Sequence, residues 1–340
     1  MTGVGTTAAI FGCIGPHLKP DERAFFADAD PFGFIIFARN VETPDQLYRL
    51  TSDLRAAVGR DAPVLVDQEG GRVQRLRSPH WRDWSPPLDA ITAAPDLATA
   101  CRIMALRAAL IASELRSLGI DANCAPVADI ATDATHPFLR NRCYGTDAAS
   151  VTAIARAVAD ACLAAGVLPV VKHMPGHGRA VGDTHHGLPS VSADAATLQF
   201  TDFAPFRALA DLPMAMTAHI LFAAFDCDSP ATQSPRMIEV IRDDIGFTGL
   251  LMTDDLNMQA LSGSLADRTA RALRAGCDLA LHCNGELTEM RSVAAAAGPM
   301  RPDTRLRAAA ALRHRQSPKP TDTTALLAEL ARLGQGPLHA

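Results

Sequence analysis

The sequence has no basic excess and no run of Lys or Arg: 32 Lys and Arg stand against 37 Asp and Glu, for a net charge of −5. That balance argues against a surface for nucleic acid or anionic membrane, because both need clustered positive charge. No apolar stretch approaches the roughly 20 residues of a spanning helix. The opening MTGVGTTAAIFGCIGPHL also lacks the basic n-region of a secretory signal. A cytoplasmic protein with no membrane partner is expected. None of the eight cysteines forms a C-x-x-C pair, and several lie in apolar runs such as DANCAPV and DACLAAG. Scattered spacing in a chain of this length speaks against a disulfide framework and for thiols packed as small hydrophobes.

What is present is ordinary core material, with 48% hydrophobic and 20% charged residues in 340. Short apolar runs recur at 8–14, 33–37, 63–66, 121–125, 168–171, 214–217, 249–253 and 278–282. Segments with helical periodicity lie between them, among them 44–58, 97–118, 148–165 and 193–210. Strand and helix in alternation predict a parallel sheet closed as a (β/α)8 barrel, an α/β fold that often uses this much chain as one domain. An open doubly wound sheet would carry a glycine-rich phosphate turn after its first strand. Gly12-Cys13-Ile14-Gly15-Pro16 does not supply G-x-G-x-x-G. Residues 1–315 are expected to form the barrel, and 316–340 a short linker followed by a packing helix near 325–333.

Polar residues gather at the C-terminal ends of the predicted strands, which in a barrel is the catalytic face. The third run ends in Val66-Asp67 and continues as QEGGRVQR, the fifth in Lys172-His173 and the seventh in Thr253-Asp254-Asp255. The sixth and eighth end at His219 and His282, for which no role is assigned. A lone strand-end acid is often a helix cap; strand after strand ending in Asp, Lys or His is harder to explain that way. Side chains alternate along a strand, so Asp254 and Asp255 should diverge, one toward the mouth and one toward the next helix. The segment KHMPGHGRAVGDTHHGLPSV, 172–191, holds too many glycines and prolines for regular helix or strand and is expected to be a loop. Within it Asp183 stands two residues before His185, close enough to orient the imidazole and raise its affinity for a proton.

Taken together, GFIIFARN, VDQEGGRVQRL, NRCYG, KHMPGHG followed by GDTHH, LLMTDDLNM and AGCDLALHCN resemble family 3 glycoside hydrolases. Within that family they are similar to the β-N-acetylglucosaminidases of bacterial peptidoglycan recycling, the NagZ type. The resemblance runs in order over most of the chain. It implies a retaining exo-β-N-acetylglucosaminidase acting on peptidoglycan (anhydromuropeptide) fragments, without cofactor or metal. It implies Asp254 as the nucleophile and Asp183 with His185 as the acid/base dyad. Asp67, Arg75, Arg142, Lys172 and His173 match positions that bind the N-acetylglucosamine unit. Met174 in place of Phe, Thr253 in place of Ser, and the extra His186 depart from the pattern. A monomer is expected.

Such chemistry suits the residues themselves. A retaining glycosidase needs a carboxylate beneath the anomeric carbon and a proton donor on the leaving oxygen. Lys172 and His173 at a buried strand end need polar partners, which sugar hydroxyls supply; a salt-bridge set among the same residues is the plainer alternative. Three rival reactions remain, the first being attack by the substrate's own acetamido oxygen with Asp254 and Asp255 assisting, which has no need of Asp183 and His185. A phosphorylase would use phosphate in place of water at the same site. A metal-dependent hydrolase would draw on His173, His177, Asp183, His185 and His186, but no H-x-H or H-E-x-x-H is present.

Overall fold

The computed structural model describes residues 3–181, 187–317 and 321–335. Eight parallel strands close into a barrel in which each strand neighbours its predecessor in sequence. They are β1 (Thr7–Gly12), β2 (Pro31–Ile36), β3 (Val64–Val66), β4 (Ala122–Asn123), β5 (Leu168–Met174), β6 (Met214–Thr217), β7 (Leu250–Asp255) and β8 (Leu279–His282). Pairing of Ala9 with Ala280 and Ile10 with Leu281 joins β8 to β1 and closes the ring. The expected (β/α)8 barrel is what the chain forms.

Alternation along the strands explains the two cores. Ile10, Ile35, Leu65, Val170, Met216 and Met252 fill the barrel interior. Their neighbours Phe11, Phe34, Val64, Val171, Ala215 and Leu251 point outward against the helices. Both sets are fully apolar because a barrel strand is buried on each face. Helices start where a cap is available: Thr43, Asp96 and Asp147 accept amides at the heads of Pro44–Val58, Leu97–Ser117 and Ala148–Ala164.

Two expectations need correction. The continuous helix over 193–210 is two short ones, Ala195–Phe200 and Ala204–Ala208. Pro205 supplies no amide and its ring crowds the carbonyl four residues earlier, so one helix cannot run through. The segment 172–191 is not loop throughout. β5 continues to Met174, and Ser190–Val191 pairs with Leu221–Phe222. Lys172 and His173 therefore sit inside a strand. Near the C-terminus, Thr323–Arg332 is helical, buries Leu330, and is tied to the Leu97–Ser117 helix by the Arg102–Glu329 ion pair, 2.6 Å. No helix among the described residues is long and apolar enough to cross a membrane.

Candidate active site

A cavity of about 130 Å³ opens at the C-terminal end of the barrel. Asp67, Arg75, Arg142, Lys172, His173 and Asp254 all line it, together with His177 and Asp255. Its apolar wall includes Phe37, Phe138, Met216, Met258 and Leu281. Six of the eight residues singled out from sequence thus converge on one space. The other two, Asp183 and His185, lie outside the described residues, as does His186.

Asp67 and Arg75 meet because a small antiparallel hairpin, Gln68–Gly70 with Val73–Gln74, folds the chain back over the end of β3. Gly70 sits at φ +101°, and a Cβ there would lie 1.7 Å from the Arg107 guanidinium, so the turn requires glycine. Arg75 Nη2 then donates to Asp67 Oδ2 at 2.9 Å, and Lys172 Nζ to Oδ1 at 2.7 Å. Lys172 Nζ also reaches Glu69 Oε1 at 2.7 Å, and Arg142 grips both Glu69 oxygens at 2.8 Å. Burial alone would raise both acids, but the cations outweigh it. Asp67 is held well below the usual carboxylate range by Lys172 and Arg75, and Glu69 falls to about 2 through Arg142 and Lys172. The salt-bridge alternative is therefore real. These residues do pair, and three of the five, Asp67, Arg75 and Lys172, form one network through Asp67.

Asp254 continues the inward series Leu250, Met252 along β7, as alternation requires. Its Oδ1 accepts the Asp255 amide at 2.8 Å, and among the described residues it forms no salt bridge. Enclosure raises its pKa, yet the nearby His173 and His219 rings, the Asp255 amide and Lys172 bring it below the ordinary value. The carboxylate is the resting form. Asp255 does not turn away to cap the next helix as expected: it lines the same cavity as Asp254. Its Oδ1 accepts the amides of Asn257 at 3.1 Å and Cys283 at 3.2 Å, tying the end of β7 to the end of β8. Burial, with the Asp254 charge beside it, pushes Asp255 up to about 6 despite those amides.

His173 is oriented by Asp129, whose Oδ2 lies 2.7 Å from Nδ1 and whose Oδ1 accepts the amides of His173 and His177. Sequence reasoning missed both Asp129 and Glu69. Glu69 stood in a segment already singled out, and a second acid two residues after Asp67 was the available signal. Asp129 lies in an apolar run with nothing to mark it. His219 is buried, with Thr232 Oγ1 2.7 Å from Nδ1 and the Asp255 carbonyl 3.1 Å from Nε2. His282 is buried with neither ring nitrogen hydrogen-bonded; Glu289 Oε2 is 3.7 Å away. No group of three or more metal-ligating side chains occurs among the described residues.

The sequence pattern of the glycosyl hydrolase family 3 N terminal domain matches residues 13–311, nearly the whole barrel. The chain belongs to glycosyl hydrolase family 3. It is an enzyme, a glycoside hydrolase. A beta-hexosaminidase of Methylococcus capsulatus is 36% identical over 281 residues, covering 81% of this chain and 82% of that protein. Another, from Alkalilimnicola ehrlichii, is 36% identical over 81% of this chain and 80% of its own length. Native NagZ of Neisseria gonorrhoeae superposes with a TM-score of 0.86 at 25% identity, covering 98% of this family 3 chain and 99% of that one. A family 3 β-N-acetylglucosaminidase from Paenibacillus gives a TM-score of 0.83 at 29% identity, over 96% of this chain and 67% of that one.

Proposed function

We propose that this hydrolase is a retaining exo-β-N-acetylglucosaminidase that removes terminal β-linked N-acetylglucosamine from peptidoglycan fragments. The observation that carries the reading is the contrast between two carboxylates of one cavity. Asp67 is consumed by Lys172 and Arg75, whereas Asp254 is ionised, faces inward and has no cationic partner among the described residues. The first is built to accept from sugar hydroxyls and stay put; the second is free to bond to carbon.

In this mechanism Asp67, Arg75, Arg142, Lys172 and His173 hold the sugar. The Asp254 carboxylate attacks C1, forming a glycosyl ester as the glycosidic C–O bond breaks. The leaving oxygen takes its proton from His185, oriented by Asp183. Water then gives a proton to His185 and attacks C1, and the ester bond breaks to return Asp254 as carboxylate. Placing the nucleophile on a strand gives the attack little positional slack.

Likeness to the beta-hexosaminidases and to NagZ supports the acetamido sugar, and the resemblance of the sequence blocks supports peptidoglycan as its source. All eight cysteines are free thiols, which suits a reducing compartment, and the cytoplasm is the proposed location. The test is hydrolysis of 4-nitrophenyl N-acetyl-β-glucosaminide beside the matching glucoside. Preference for the plain glucoside rejects the sugar assignment. A 2-fluoro glycoside should leave a glycosyl ester on Asp254, found by peptide mass; an ester elsewhere, or none, rejects the nucleophile.

A further inference from the structure

His177 lines the cavity, is 7% exposed, and has an Nδ1 with no hydrogen-bond partner. Its main chain is pinned. The His177 amide donates to Asp129 Oδ1 at 2.7 Å, and the Gly178 carbonyl accepts from Thr135 Oγ1. A Cβ on Gly178 would fall 1.8 Å from the Ile130 carbonyl oxygen, so the chain lies hard against that segment. The ring is thus presented to the cavity from a fixed backbone rather than a swinging loop.

Burial, reinforced by the neighbouring His173 ring 5.5 Å away, drives His177 down to about 4. At neutral pH the ring is uncharged, with one N–H and one lone pair. An orphaned lone pair is tolerated better than an orphaned N–H. The hydrogen therefore belongs on Nε2, with the unpartnered Nδ1 as the bare acceptor. Asp67, Arg75, Arg142, Lys172 and His173, which also face the cavity, each have a protein partner already. Asp254 and Asp255 accept rather than donate when ionised. The His177 ring is an uncharged nitrogen donor without an engagement among the described residues.

We propose that His177 donates Nε2–H to an uncharged oxygen of the bound sugar and so acts as a specificity-determining substrate contact. The oxygen belongs to the 2-acetamido carbonyl or to a ring hydroxyl, both neutral acceptors. This assignment rests on the glycosidase reading above and names the residue that meets the neutral part of its substrate.

The experiment compares wild type, His177→Phe and His177→Asn on 4-nitrophenyl N-acetyl-β-glucosaminide and on the glucoside. Phe keeps a packed ring without a donor, and Asn restores a neutral donor. Loss of about tenfold in kcat/KM for the Phe variant, partly recovered by Asn, is the expected result for one neutral hydrogen bond. Loss confined to the acetamido substrate assigns the contact to the carbonyl; equal loss on both assigns it to a hydroxyl. Unchanged kcat/KM on both substrates overturns the proposal, and so does a loss in the Phe variant that Asn does not relieve at an unchanged melting temperature. Should wild type prefer the glucoside, the acetamido reading fails, while the same Phe and Asn comparison on that substrate still decides the role of His177.

Discussion

Glu69 Oε1 lies 2.7 Å from Lys172 Nζ, although Glu69 itself is fully buried behind the cavity wall. Lys172 is consequently gripped by two carboxylates, one facing the cavity and one behind it. Arg142 closes the back of the same set through its two bonds to Glu69. Burying a lysine here is tolerable because both charges around it are paired and hydrogen-bonded. The sugar-facing geometry of Asp67 and Lys172 is thus set from behind.

Replacing Glu69 with Gln keeps the shape and removes the charge, leaving Lys172 and Arg142 one anion short in a buried network. A loss of about 3 kcal/mol in stability is expected, the usual cost of breaking a buried pair from one side. Urea unfolding measures it, and KM should rise at the same time. An unshifted midpoint would show that the network carries no such burden.

Asp254→Ala should abolish turnover, with a fall of roughly three orders of magnitude or more in kcat, as expected for a group that forms the covalent bond. Melting temperature should change little, because among the described residues Asp254 accepts only the Asp255 amide. Residual turnover equal to wild type would remove Asp254 from the mechanism.

His185→Ala separates the two halves of catalysis. A 4-nitrophenolate departs without help, so ester formation on that substrate should survive and the burst of nitrophenol should persist while steady turnover slows. A disaccharide, whose leaving alkoxide needs a proton, should be cleaved far more slowly. Equal damage on both substrates would place the acid elsewhere.

Acid should destabilise the protein in a defined window. His177 and His282 are each pushed from 6.5 down to about 4 when folded, by burial above all, so their contribution is complete above 6.5 and lost as pH falls toward 4. Asp255, raised from 3.8 to about 6, acts in the opposite sense, its contribution being lost as pH rises through 6. Two histidines against one carboxyl leave the unfolded chain the greater proton binder, and each extra proton tilts stability by about 1.4 kcal/mol per pH unit. Below 4.5 the loss steepens as Glu69 begins to protonate on unfolding. Urea midpoints between pH 7 and 4 should fall, and more gently in His177→Phe. A flat profile would contradict the buried neutral state of these rings.

The barrel was legible in the order of apolar runs, and the eight predicted strands overlap the eight observed ones. This follows from burial on both faces, which writes every barrel strand as a short apolar block whatever its neighbours are. The helix over 193–210 is divided ahead of Pro205, a local breaker embedded in a strong apolar period. At the site, Asp67, Lys172, His173 and Asp254 stood out as polar residues ending the apolar runs, although Lys172 and His173 lie within the observed strand.

Sequence by itself determined the strand order, the family and the residue types gathered at one end of the barrel, because these depend on periodicity and local motif. Only the tertiary structure decided which carboxylate is occupied and which is free. Asp129 reaches His173 from 44 residues away and Glu69 reaches Arg142 from 73, separations that no local pattern encodes. Charge pairing in a low-dielectric interior depends on distances of a few ångströms, and folding alone sets them.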